Sequence, residues 1–298
     1  MRTVYTVSTA LIVLLASGVA ASADKSFERT VAAQPKGVVD ISNVSGSIDV
    51  TGWDRQEVAV RAELGEDVER VDLTSEGDHT TVKVVLPHHG GRHGDAHLHV
   101  QIPKGSELDV SAVSADVTTS AVQGAQHLST VSGDLTSELA GADAEVKSVS
   151  GDIKLKGHGE PARLRVTSVS GDVHLEHGAG DLESSSVSGS LVISLDTAHS
   201  VRVRTTSGDL RFEGKLARDA TFEATSVSGD MNVRAPAAGG YVYEITTFSG
   251  EISNCFGVKA QRESEYAPGS KLSGSRADGA GHVRLKTMSG DISLCDRD

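Results

Sequence analysis

The chain has 298 residues and a formal net charge of −13, with 28 Lys and Arg against 41 Asp and Glu. No basic cluster offsets that balance, which argues against nucleic acid and anionic membrane surfaces as partners, since clustered positive charge holds both. Aromatic residues are only 3% of the chain and glycine numbers 32, so a core built on Phe, Tyr and Trp is excluded as well.

In chain order, the first expected element is a leader. A short basic start (Met1, Arg2) precedes the apolar run "VSTALIVLLASGVA" at 7–20, and "ASA" at 21–23 supplies a small-x-small cleavage pattern. Residues 1–23 therefore read as a signal peptide. The mature chain would start at Asp24, be exported and carry no membrane span. Residues 24–110 read as an N-terminal β cap with a first coil. Within it, "VVDISNVSGSIDVTGWD" (38–54) is followed by "EVAVRAEL", "VERVDLTS", "TTVKVVLP" and "AHLHVQIP", four alternating strands joined by hairpin-type turns.

Residues 111–298 read as a repeat region continuous with the cap. A Ser-Gly-Asp triplet recurs as in "KSVSGDIKL" (147–155), and alignment on its glycine gives Gly46, a degenerate Ala115, then Gly133, Gly151, Gly171, Gly189, Gly208, Gly229, Gly250 and Gly290. From Ala115 the steps are 18 to 21 residues up to Gly250, then 40 to Gly290. Apolar residues stand two and, in most copies, four positions after the glycine, and again five before it. The residue three before it is always Ser or Thr, from Thr130 and Ser148 to Thr287. Strand alternation broken at a fixed corner, with a period near 20, predicts an all-β, single-stranded, right-handed parallel β-helix of about 20 residues per coil. Each coil would advance one strand spacing, about 4.8 Å. In "KSVSGDIKL", Val149, Ile153 and Leu155 are expected to point inward and Gly151 to form the corner. The interval 250–290 is either one irregular coil or an excursion shielding the end of the stack.

The repeated "SVSGD" copies, the opening "VVDISNVSGSIDVTGWD" and the entry "LHVQIPKGSELDVSAVSADV" (98–117) resemble the bacterial putative-adhesin β-strand-repeat family, a domain of unknown function in exported envelope proteins. The resemblance spans nearly all of the mature chain. It implies a β-helix, an envelope or surface location and no catalytic residues.

The candidate chemistry is sparse. Cys255 and Cys295 both sit five residues after a repeat glycine, and an even pair at matched positions in an exported protein predicts a disulfide, provided their coils are neighbours. His88, His89, His93, His97 and His99 fall within 12 residues and form a candidate metal site, without the spacing of a zinc motif. The repeated acids (Asp116, Asp134, Asp152, Asp172, Asp209, Asp230, Asp291 and Glu251) allow a weak surface divalent cation, but the "GGxGxD" string of calcium-binding solenoids is absent. They read instead as corner residues bonding local N–H groups. No cofactor is expected. Arg163, Arg165, Arg202, Arg204 and Arg211 alternate along strands as a solvated face, and no nucleophile motif or phosphate loop occurs. The expected function is a non-catalytic scaffold or adhesin-like module contacting an envelope or surface component. The alternatives are a carbohydrate-active enzyme on the same fold, or a periplasmic metal-binding or stress protein using the His-rich segment.

Overall fold

The computed structural model describes residues 25–87, 94–237, 239–262 and 268–296. Their regular structure is entirely β, with 22 strands hydrogen-bonded into one sheet. Residues 1–23, read above as a leader, lie outside the described residues.

The cap comprises β1 (Lys25–Ala32), β2 (Val38–Trp53), β3 (Glu57–Leu64), β4 (Arg70–Glu76), β5 (His79–Val85) and β6 (Ala96–Pro103). β4 runs antiparallel to β5, and β3 runs antiparallel to both β1 and β6. The repeats begin with β7 (Glu107–Ser120), β8 (Gln126–Ser132), β9 (Leu135–Glu138), β10 (Ala144–Ser150), β11 (Ile153–Lys156) and β12 (Pro161–Ser170). Three long strands follow, β13 (Val173–Ser188), β14 (Leu191–Ser207) and β15 (Leu210–Ser228), then β16 (Met231–Arg234). The chain ends with β17 (Tyr241–Ser249), β18 (Ile252–Asn254), β19 (Gln261–Arg262), β20 (Ser270–Ser275), β21 (Gly281–Ser289) and β22 (Ile292–Cys295). Position 110 falls inside β7, so cap and repeats share a strand.

Through the middle of the molecule, equivalent residues of successive repeats stack in parallel register. Val146 lies between Leu128 and Val166, and Ile153 lies between Leu135 and Val173. The interior is therefore a set of aliphatic columns, all these side chains being buried. Each fully buried Val, Leu or Ile stabilises by about 1.5–3 kcal/mol, which is how a chain so poor in aromatics holds together.

The corner needs glycine for two reasons. Gly151 has φ +140°, a region closed to most L-residues, and a Cβ there would sit 2.2 Å from the Gly133 carbonyl oxygen in the coil below. At the degenerate copy, Ala115 stays in strand conformation and β7 runs through without a break.

One expectation is corrected here. Val149 is not an inward residue; it is 47% exposed, while Ser148 beside it is 3% exposed. The corner resets the in–out alternation, so the inward positions are Val146 and Ser148 before it and Ile153 and Leu155 after it. The inward place nearest the corner goes to a small hydroxyl residue in every repeat from Thr130 onward, and Val149 is turned outside.

Stack order and chain order differ at both ends. β2, the first coil, is sandwiched between β5 and β6 on one side and β7 on the other. The last coil, β21 with β22, pairs with β15 and β16 on one side and with β17 and β18 on the other. The corners thus stack in the order Gly229, Gly290, Gly250. The excursion after β18 returns as β20, which covers the outer edge of β17 in antiparallel register. An open edge would template pairing with other chains, so this strand, like β1, β3 and β4 at the other end, closes the stack. Insertion of the last coil buries Val283, Leu285, Ile292 and Leu294 to 2% exposure or less. Those four side chains outweigh any surface ion pair nearby, which contributes at most about 1 kcal/mol.

Candidate functional site

The outward surface has three regular features. The first is the aspartate column. The Asp152 N–H donates to the Asp134 carboxylate at 2.9 Å, and Asp172 N–H donates to Asp152 at 3.0 Å. The pattern continues through Asp230 on Asp209, Asp291 on Asp230 and Glu251 on Asp291, at 2.7–2.9 Å. The carboxylates therefore cap corner N–H groups, as their turn role predicts. The partner, however, is in the next coil rather than local, because the corner N–H points along the stack axis. Ser190 breaks the run: its N–H donates to Asp172, but it has no carboxylate to offer Asp209.

The second feature is an apolar ridge beside those carboxylates. Val44, Val113, Val131, Val149, Val169, Val187, Val227, Met288 and Phe248 occupy the same repeat position and are 40–55% exposed. Thr206 is the one polar residue in this column. The side chains grow from Val to Met and Phe toward the C-terminal end of the stack.

The third feature is a charge column six residues before each corner. In stack order it reads Glu145, Arg165, Glu183, Arg202, Glu223, Arg284 and Glu244, each opposite the next. Arg165 and Glu183 are 2.8 Å apart, and Arg284 and Glu244 are 3.2 Å apart. A hydrogen bond from Lys271, then the charges of Lys271 and Arg284, hold the Glu244 carboxyl below its ordinary pKa. Lys147 does the same to Glu145. Arg163, Arg165, Arg202, Arg204 and Arg211 all lie exposed on this outer surface.

His88, His89 and His93 lie outside the described residues. His97 and His99 share one face of β6, but each engages β2: Nδ1 of His97 is 3.0 Å from Ser47 Oγ, and Nδ1 of His99 is 3.3 Å from Asp49. Cys255 and Cys295 are joined as a disulfide between neighbouring coils, with Cα atoms 5.2 Å apart. Gly133, Gly151, Gly171, Gly189, Gly208, Gly229, Gly250 and Gly290 all have positive φ, and all stand at corners. Among the described residues, one group brings three metal-ligating side chains together, Glu107, Asp109 and His127. None of the three was singled out by motif. Alignment on the glycine would have exposed Asp109 and His127, since both lie in the charge column.

These features define an all-β, solenoid-like repeat protein whose regularity lies in its corners. The chain belongs to the Toastrack DUF4097 family, whose model matches residues 38–295. Among solved structures it is similar to a putative adhesin from Parabacteroides distasonis, at 11% identity and TM-score 0.42, covering 91% of this chain and 98% of that one. It is also similar to a putative adhesin from Bacteroides fragilis (12% identity, TM-score 0.38, 91% and 97% covered). A third is a putative lipid binding protein from Parabacteroides distasonis (12%, 0.35, 90% and 96%). No curated protein matches. No helix among the described residues is long and apolar enough to cross a membrane.

Proposed function

We propose that the protein is a non-catalytic, exported scaffold of the bacterial envelope, adhesin-like, and built as a right-handed parallel β-helix of about 20 residues per coil. The observation that carries this reading is the ridge from Val44 to Phe248. Apolar side chains held outward at the same position, coil after coil, form a contact surface longer than a single domain needs for its own core. The flanking serines and the capped aspartates leave this ridge as the principal apolar feature of its face. The partner is an envelope or surface component that contacts several coils at once.

The test uses the triple variant Val131→Thr, Val149→Thr, Val169→Thr. Thr206 already occupies this column, so the fold should tolerate the change. Capture of partners from envelope extract should fall sharply, with the melting temperature preserved. Unchanged capture would sink the ridge as the contact surface. Turnover of an acidic polysaccharide that disappears with one carboxylate substitution would replace the scaffold reading with an enzymatic one.

A further inference from the structure

From Glu145 to Glu244, every carboxylate in the charge column has an arginine directly opposite. The rule breaks where the cap meets the first regular repeat. There Asp40 of β2 faces Asp109 of β7, and the next member is His127 of β8, opposite Asp109. Like charges directly opposite on a sheet are destabilising, and no basic residue of this column separates these two. Asp40 is engaged on its other side by His79.

Glu107, two residues before Asp109 on the same face of β7, brings a further carboxylate to the same point. His127 Nδ1 lies 3.1 Å from Asp109 Oδ1 and 3.5 Å from Glu107 Oε1. One ligand atom from each of the three lies within 4.8 Å of the others, and all three residues are half-buried. Ligands about 2.1 Å from one ion stand roughly 3.4 Å from each other in a tetrahedral shell, so small side-chain rotations would complete the set. Asp40 directly opposite Asp109, and Glu107 two residues before it, add to the negative charge at this point. The site thus combines excess negative charge with a mixed oxygen and nitrogen donor set.

We infer that Glu107, Asp109 and His127 bind a first-row divalent cation of the zinc or manganese class, clamping β7, where cap and repeats join, to β8. Two carboxylates and one imidazole suit such ions, and water fills the remaining positions. The ion supplies the positive charge that arginine supplies elsewhere in the column. The site shares no residue with the histidines at 88–99.

The experiment is calorimetric titration of the full chain with Zn²⁺ and, separately, Mn²⁺. It is done in a His88→Ala, His89→Ala, His93→Ala background, so that those imidazoles contribute nothing. One equivalent bound with micromolar affinity is expected, with a rise in melting temperature. Affinity should fall about tenfold or more in His127→Ala and in Asp109→Asn, and the thermal shift should vanish. Glu107→Gln serves as the third arm if either variant fails to fold. Millimolar or undetectable binding, or affinity unchanged by all folded variants, overturns the site.

Discussion

The middle of the stack and its two ends obey different rules. From β8 to β16, each repeat lies beside the repeat that follows it in sequence, and like sits on like. At the ends, β2 and the β21–β22 pair are each tucked one place inward, and antiparallel strands take the outer edge. The middle needs only a repeat that matches its neighbours. An end has no next neighbour, so its edge must be covered by something that is not a repeat. Placing the chain's own first and last coils inside the stack ties both ends of the fold to interior pairings.

The largest effect on this contrast should come from a middle corner. Gly151→Val forces a β-branched residue to positive φ and drives its Cβ into the Gly133 carbonyl, so stability should fall by about 3 kcal/mol or more. Gly77→Ala in the cap is the control. It also has positive φ, at +66°, but among the described residues nothing lies within 4 Å of a new Cβ, and the loss should be only about 1 kcal/mol. Equal losses in chemical denaturation would refute the stacked corner as the source of the requirement.

Next comes the C-terminal end. Replacing Cys255 and Cys295 by Ser removes a cross-link closing 40 residues, and should cost about 2–4 kcal/mol. Hydrogen exchange should quicken over 241–254 and 281–295 while 144–175 stays protected. Uniform loss of protection would mean that the end is not a separate unit.

A smaller effect tests the insertion electrostatically. Arg284→Glu would place three acids in a row at the inserted coil, and Arg202→Glu would do the same between Glu183 and Glu223 in the middle. Each should cost on the order of 1 kcal/mol or less, with the loss shrinking in high salt. If Arg284→Glu stabilises, Glu223 and Glu244 do not flank it.

The smallest change is Tyr241→Phe. The Tyr241 hydroxyl is buried without a hydrogen-bond partner among the described residues, and burial raises its pKa above the ordinary tyrosine value. A raised pKa contributes stability that is present below the unfolded value near pH 10 and is lost as the pH rises. The variant should be neutral or about 1 kcal/mol more stable at pH 7, and should lose less stability above pH 10. A clear loss at pH 7 would reveal a hydrogen bond to that hydroxyl.

Much of this was legible in the residues alone. Glycine and an Asp in nearly every copy, with apolar positions at fixed offsets, announce coils turning at corners. Four of the six cap strands, β3 to β6, coincide with the four alternating segments, but of these only β4 and β5 pair as a hairpin, while β3 pairs with β1 and β6. The side taken by Val149 was not legible, because strand alternation does not carry through a corner that resets it. The Glu107, Asp109 and His127 group carries no motif: alignment on the glycine brings Asp109 and His127 into one column, but the approach of Glu107 to them is seen only in the fold.

Local pattern and period therefore dictate what each coil is: its strands, its corner and the inward residues away from that corner. Which coil lies beside which was left to the tertiary structure. A period reports that units are alike, and alike units could stack in any order. The choice falls to edge covering, to the burial of Val283, Leu285, Ile292 and Leu294, and to the acid–arginine column that keeps its alternation only when Arg284 stands between Glu223 and Glu244.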